Sequence, residues 1–114
     1  MKKIILWINV VTFLVLTSCA PKILYSWRDY NDASYYYLKF GDKSSADQLI
    51  NTYQQIIEKQ EGTRNTVPPG IYADYGFILI QNGKNEEGKA MLKKEIALYP
   101  ESEIFINRIS MSFN

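Results

Sequence analysis

The sequence predicts an all-α domain of about five helices: two stacked antiparallel helical hairpins, the second tetratricopeptide-like, plus a C-terminal capping helix. Three observations lead there. Apolar residues recur at helical spacing in five consecutive segments. The first four segments are closed by Gly41, Gly62, Asn82-Gly83 and Pro100. No segment alternates polar and apolar residues as a half-buried strand does.

The first helix is expected over about 29–40, with Tyr30, Ala33, Tyr37 and Phe40 at helical spacing and Gly41-Asp42 as its stop. The second starts near Ser45, where Ser45 and Gln48 have capping-box spacing. Leu49, Ile50, Tyr53, Ile56 and Ile57 form its apolar stripe, and it ends near Glu61-Gly62, with Gly62 suited to a helix C-cap. A polar loop follows, closed by Pro68-Pro69-Gly70, which suits a helix entry. The third helix spans about 71–82 with Ile71, Tyr75, Ile78 and Leu79 on one face. The fourth spans about 85–99 with Met91, Leu92, Ile96 and Tyr99 as its stripe, and Pro100 stops it. The fifth, over about 102–109, carries Phe105 and Ile109.

Residues 1–18 have a different character. Met1-Lys2-Lys3 is a charged start, and an apolar run of 13 residues follows from Ile4 to Leu16. As a helix that run is roughly 20 Å long at ~1.5 Å per residue, short of the ~30 Å of a bilayer core. Leu16-Thr17-Ser18-Cys19 resembles the bacterial lipobox, an aliphatic residue and two small ones before a Cys. The resemblance implies that residues 1–18 are a removable export signal and that Cys19 takes a covalent lipid. Ala20 after the Cys, where an Asp would imply inner-membrane retention, favours the outer membrane by the same resemblance. The expected organisation is therefore a signal peptide over 1–18, a lipidated Cys and tether over 19–28, and one helical domain over 29–114. The tether from Ala20 to Trp27 would reach at most roughly 28 Å.

Composition excludes several functions. Without residues 1–18 the chain keeps 96 residues, enough for one modest core. Its net charge moves from +1 to −1 as Lys2 and Lys3 leave, and no basic stripe remains to build phosphate affinity, so no nucleic-acid partner is expected. There is no His and a single Cys, which removes His-based catalysis, His metal sites and any internal disulfide. Glu86-Glu87 and Asp29/Asp32 sit at helix starts, where acidic groups favour the macrodipole. No phosphate loop, nucleotide fingerprint or metal-ligand cluster occurs. We expect no catalytic residues, no metal, no cofactor beyond the lipid on Cys19, and no small-molecule substrate.

The segment Tyr72-x2-Tyr75-Gly76-x2-Leu79, then Gly88-x3-Leu92, then Pro100 has the spacing of a tetratricopeptide unit. Gly76 and Gly88 are expected where two antiparallel helices approach closely. Tyr72, Leu79 and Leu92 should fill the layer between them. One such unit cannot bury its faces alone, so the upstream hairpin should stack on it, although that pair does not repeat the motif at a 34-residue offset.

Seven aromatics crowd residues 25–40: Tyr25, Trp27, Tyr30, Tyr35, Tyr36, Tyr37 and Phe40. Successive helical residues point about 100° apart, so Tyr35, Tyr36 and Tyr37 cannot all face one core. Trp27, Tyr30, Tyr35, Tyr36 and Tyr37 form the candidate interaction surface. An interfacial belt beside the membrane and plain core filling are the other readings.

Taken together, Tyr25-Ser26-Trp27-Arg28-Asp29-Tyr30, the Tyr-rich helix, Val67-Pro68-Pro69-Gly70-Ile71-Tyr72-Ala73 and Glu95-Ile96-Ala97-Leu98-Tyr99-Pro100-Glu101-Ser102 resemble the small bacterial lipoproteins grouped as domain of unknown function 4810. Members commonly carry Gly where this chain has Arg28, so the turn after Trp27 is expected to differ. The family has no established activity. Its members are often encoded beside a curli-secretion-channel-like lipoprotein and another small lipoprotein, which implies a shared envelope assembly. The expected function is a non-enzymatic interaction module, lipid-anchored in the outer membrane of the cell envelope, with an envelope lipoprotein as partner. The alternative is a ligand-binding lipoprotein for peptidoglycan or peptide.

Overall fold

The computed structural model describes residues 1–16 and 20–113, so that Thr17, Ser18 and Cys19, expected with Leu16 as a lipobox, lie outside the described residues. Within them the fold is all-helical: α1 (Lys2–Leu16), α2 (Tyr30–Phe40), α3 (Lys43–Glu58), α4 (Ile71–Gln81), α5 (Asn85–Leu98) and α6 (Glu103–Ser110). Short 3₁₀ turns cover Pro100–Ser102 and Met111–Phe113. No described helix is long and apolar enough to cross a membrane.

Helices α2 and α3 form a hairpin with a two-residue turn. Gly41 takes the left-handed conformation (φ +59°) and its N–H donates to Tyr37 O at 2.9 Å, which ends α2. Asp42 is extended and caps α3, accepting from Ser45 N–H at 2.8 Å, while Ser45 Oγ donates back to Asp42 O at 3.0 Å. The helix thus starts two residues before the expected Ser45/Gln48 box, because Asp42 supplies the same acceptor one turn earlier. It also ends at Glu58, so Gly62 is not its C-cap.

Gly62 serves a different purpose. A Cβ there would collide with Leu24 O and Tyr25 Cα. The bare backbone lets residues 23–28 lie against the start of the 59–70 loop. Thr63 N–H donates to Ile23 O (2.9 Å) and Arg64 N–H to Leu24 O (3.1 Å). Ser26 exchanges hydrogen bonds with the Gln60 amide at 2.5 and 3.2 Å. The segment expected as a free tether over 20–28 is therefore part of the folded domain from Ile23 onward. Arg28 adopts φ +48°, the region that favours glycine. Its guanidinium donates to Lys59 O at 2.6 Å and pairs with Glu61 at 3.2 Å, contacts that offset a strain of order 1 kcal/mol. The turn after Trp27 thus has a glycine's backbone conformation although an Arg occupies it.

The second hairpin, α4 and α5, closes on its glycines. A Cβ on Gly76 would lie 2.8 Å from Gly88 O and 2.9 Å from Leu92 Cδ2, and one on Gly88 would lie 2.5 Å from Gly76 O. Leu92 lies against Gly76 and Ile80 against Gly88 at this crossing, Leu79 and Tyr75 pack in the core between the hairpins, Tyr72 lies at its edge beneath Lys94 Nζ, and Pro100 opens the 3₁₀ turn.

The two hairpins stack through a core of Ala33, Ala46, Leu49, Tyr53, Ile56, Val67, Ile71, Tyr75, Ile78 and Leu79. Tyr30 OH reaches Asp74 and Tyr37 OH reaches Gln81, both across 44 residues, so α2 and α4 run in the same direction side by side. The offset is ten residues longer than the 34-residue period, and the long 59–70 loop accommodates the difference. Helix α6 caps the far side, where Ile106 joins Ala73 and Leu92 in a smaller core. This corrects the expected Phe105/Ile109 stripe: Ile106 is buried, Ile109 is half-buried, and Phe105 is exposed. The 3₁₀ turn before α6 sets its rotation, and helical periodicity alone cannot read that.

Gly76→Ala forces two backbones apart at their closest approach. Overpacking of this kind costs about 1–3 kcal/mol, and each kcal/mol lowers Tm by about 4–8 °C in a domain of this size. Thermal unfolding followed by circular dichroism checks this, and a change within about 0.5 kcal/mol, as for an ordinary surface site, would contradict the close crossing.

Candidate functional site

The parallel arrangement of α2 and α4 leaves a groove between them of about 210 Å³. Tyr30, Ser34, Tyr37 and Leu38 project from α2, and Asp74, Phe77, Ile78 and Gln81 from α4, with Leu49 and Tyr53 of α3 at the base. The i, i+4, i+7 spacing of Tyr30, Ser34 and Tyr37 puts them on one face of α2. The same rule aligns Asp74, Phe77, Ile78 and Gln81 on α4.

The groove is polar at its ends and aromatic along its wall. Tyr30 OH donates to Asp74 Oδ2 at 3.1 Å, and Tyr37 OH donates to Gln81 Oε1 at 3.3 Å. A ladder of rings backs it: Trp27 on Tyr30 (5.7 Å between centroids), Tyr30 on Tyr53 (5.9 Å) and Tyr53 on Tyr75 (5.7 Å). Such tilted ring pairs add order of 0.5–1.5 kcal/mol each beyond area burial. Gln54, exposed on α3, donates to Tyr75 OH at 3.1 Å at the far end of the ladder.

Asp74 is the electrostatic centre. Burial pushes its carboxyl above the usual range, the Tyr30 hydrogen bond pulls it partly back, and the nearby Glu95 charge pushes it up again. Among the described residues no Lys or Arg pairs with it. The same carboxylate acts on its neighbours. Tyr53 is held well above an ordinary phenol by burial and then by the Asp74 charge, and Tyr30 is raised by the same two causes in the same order.

Glu95 lies behind the start of α4. Its side chain is fully buried (0% exposed), and Oε1 accepts from Gly70 N–H at 2.7 Å and from Ser102 Oγ at 3.4 Å. Its Oε2 has no hydrogen-bond partner among the described residues. Tyr99 OH donates to Val67 O at 2.6 Å, so α5, through Glu95 and its C-cap Tyr99, grips both ends of the Val67-Pro68-Pro69-Gly70 entry.

The candidate surface read from the sequence divides in two. Tyr30 and Tyr37 line the groove, and Trp27 stacks at its mouth on Tyr30. Tyr35 and Tyr36 are exposed and lie outside the groove; Tyr36 stacks on Phe40 at 6.1 Å, and Lys39 sits 5.7 Å over Tyr35 and 5.1 Å over Phe40. Asp74, Gln81 and Glu95 carry the polar chemistry and were missed, because apolar periodicity is blind to a carboxylate on a core-facing position. The departure of Glu95 from the Leu92/Ile96 stripe was the available signal.

The family profile described as domain of unknown function (DUF4810) matches residues 24–109, and the chain belongs to that family. The matched region begins at Leu24, inside the segment held by the 59–70 loop. Comparison with curated proteins and with solved structures gave no match.

A carboxyl raised by burial favours its protonated form in the folded state. Its contribution to stability is full below the unfolded value near 3.9 and is lost as pH rises through the folded value. Asp74→Asn keeps an acceptor for Tyr30 and removes this loss. The variant should match the parent at the acid end and exceed it in stability from the upper carboxylate range to neutrality. Denaturant midpoints across pH measure the difference, and an Asn variant less stable than the parent at pH 7 would contradict the assignment.

Proposed function

We propose that this chain is a non-enzymatic interaction module of the bacterial envelope, held in the outer membrane by a lipid on Cys19 and helping to assemble a complex with another envelope lipoprotein. One observation carries the reading: Asp74, a half-buried carboxylate without a Lys or Arg partner among the described residues, stands in a tyrosine-walled groove. Such a carboxylate lacks the counter-charge that normally offsets desolvation. A Lys or Arg side chain from a partner would supply it and lie against the faces of Tyr30 and Tyr37.

The groove, about 210 Å³, is below the ~300–1,000 Å³ of small-molecule sites. It suits one inserted side chain better than a substrate. Two stacked helical hairpins, the second tetratricopeptide-like, with their first helices side by side would present that groove to a partner segment. The gene neighbours implied by the family resemblance, a curli-secretion-channel-like lipoprotein and a second small lipoprotein, are the partners in view. The alternative, a ligand-binding lipoprotein for peptidoglycan or peptide, draws on the same carboxylate, since a free amine on a peptide stem would also pair with Asp74.

Isolation of the tagged full chain from membranes in mild detergent tests the proposal. The parent should incorporate labelled palmitate, lose it in Cys19→Ala, and bring down a second envelope lipoprotein identified by mass spectrometry. Asp74→Ala should keep the label and lose the partner. A parent that carries lipid but runs alone, or that binds purified cell wall in place of protein, would overturn the assembly role.

A further inference from the structure

We infer that the docked N-terminal edge of the domain, centred on Ile23, Leu24 and Trp27, is a membrane-contact surface that rests in the headgroup region of the bilayer. The inference rests on the proposed anchoring at residue 19 and goes beyond it, because an anchor alone does not say which face of a domain meets the lipid.

Three observations converge on this edge. Ile23, Leu24 and Trp27 are 68%, 55% and 40% exposed, an unusual density of large apolar surface within five residues. Their backbone is not free to fold them away. Ile23 O and Leu24 O are held by Thr63 and Arg64, Ser26 is held by Gln60, and Gly62 leaves no space for the segment to shift inward. Trp27 is steadied from both sides, with Tyr25 at 6.4 Å and Tyr30 at 5.7 Å.

The third observation is chain length. The hydrogen-bonded segment starts at Ile23, four residues after Cys19. Four residues span at most about 14 Å, about half the reach expected of a tether running to Trp27. A lipid on Cys19 enters the hydrocarbon, so Ile23 stays within about 14 Å of the anchor point, near enough for its edge of the domain to reach the interfacial layer. Exposed Ile and Leu gain by entering that layer, and Trp and Tyr rings favour headgroup depth. Lys22 precedes the patch, and Arg64 lies 5.8 Å over the Tyr25 ring, both able to meet lipid phosphates. The groove between α2 and α4 begins at Tyr30, three residues beyond Trp27, and would open close to the membrane surface.

The chain contains two tryptophans, Trp7 and Trp27, so a Trp7→Phe background makes Trp27 the single reporter whether or not residues 1–18 are removed. The full chain is expressed, its membrane form purified, and intact mass recorded to report cleavage and lipid. It is then placed in phosphatidylethanolamine–phosphatidylglycerol vesicles containing lipids brominated near the headgroup. Trp27 emission should shift to the blue and fall about twofold or more, as expected of a ring at headgroup depth. Ile23→Ser with Leu24→Ser, at exposed positions and with unchanged thermal unfolding, should recover most of the emission. A lipid-bearing protein whose Trp27 is neither shifted nor quenched would overturn the inference and leave the anchor standing. Blue-shifted but unquenched emission would mean that protein covers the patch, and would overturn it equally. A mass without lipid would refute the anchor, and the quenching readout would still report on the surface.

Discussion

A buried carboxylate holds the start of α4, and much else follows from where α4 starts. Glu95 is the fully buried charged side chain of the described core, and its strongest contact is the Gly70 N–H at 2.7 Å. Gly70 has no side chain with which to cap its own helix and sits at φ +91°. Glu95 supplies the acceptor from the neighbouring helix and places negative charge at the positive end of the α4 dipole. That compensation, together with Ser102 Oγ, offsets part of the desolvation that burying a charge demands. Tyr99 fastens Val67 beside it. The long loop between the hairpins is therefore nailed to α5 at two points, and the first turn of α4 has one position available to it.

The groove inherits that position. Asp74 lies one turn into α4, and its distance to Tyr30 depends on the register of α4 against α2. The pairs Tyr30–Asp74 and Tyr37–Gln81 keep the same offset at both ends, so the two helices stay aligned along the groove. The glycine crossing at Gly76 and Gly88 brings α5 close enough for Glu95 to reach Gly70. Asp74 itself works against stability, since burial raises its carboxyl and no cation answers it among the described residues. Groups that lower the stability of a fold are common where a fold does its work.

The sequence made most of the architecture legible. Spacing located the glycine pair, the proline stop and the stripes of α3 and α4, because these depend on backbone approach and apolar burial, which follow residue type directly. The start of α3 was misplaced because Asp42 and Ser45 are both good N-caps and only the extended backbone after Gly41 decides between them. The stacking of the hairpins was legible but its register was not, because the 59–70 loop stretches the repeat offset from 34 to 44 residues. The candidate site was half legible. Tyr30 and Tyr37 belong to an aromatic cluster that stands out, whereas Asp74 and Gln81 lie 44 residues away on a helix whose apolar face commands attention. The order of residues 23–28 was invisible because it rests on backbone hydrogen bonds to a loop, which leave no periodic trace.

The face proposed to dock a partner protein is the one formed by α2 and α4. A photoreactive amino acid placed at Leu38, exposed on the wall of the groove, tests it in living cells. Lys93, exposed on α5 outside the groove, is the matched control. A discrete adduct with one envelope lipoprotein from position 38, absent from position 93, is the expected result. Equal labelling of lipid and abundant envelope proteins from both positions would contradict the claim.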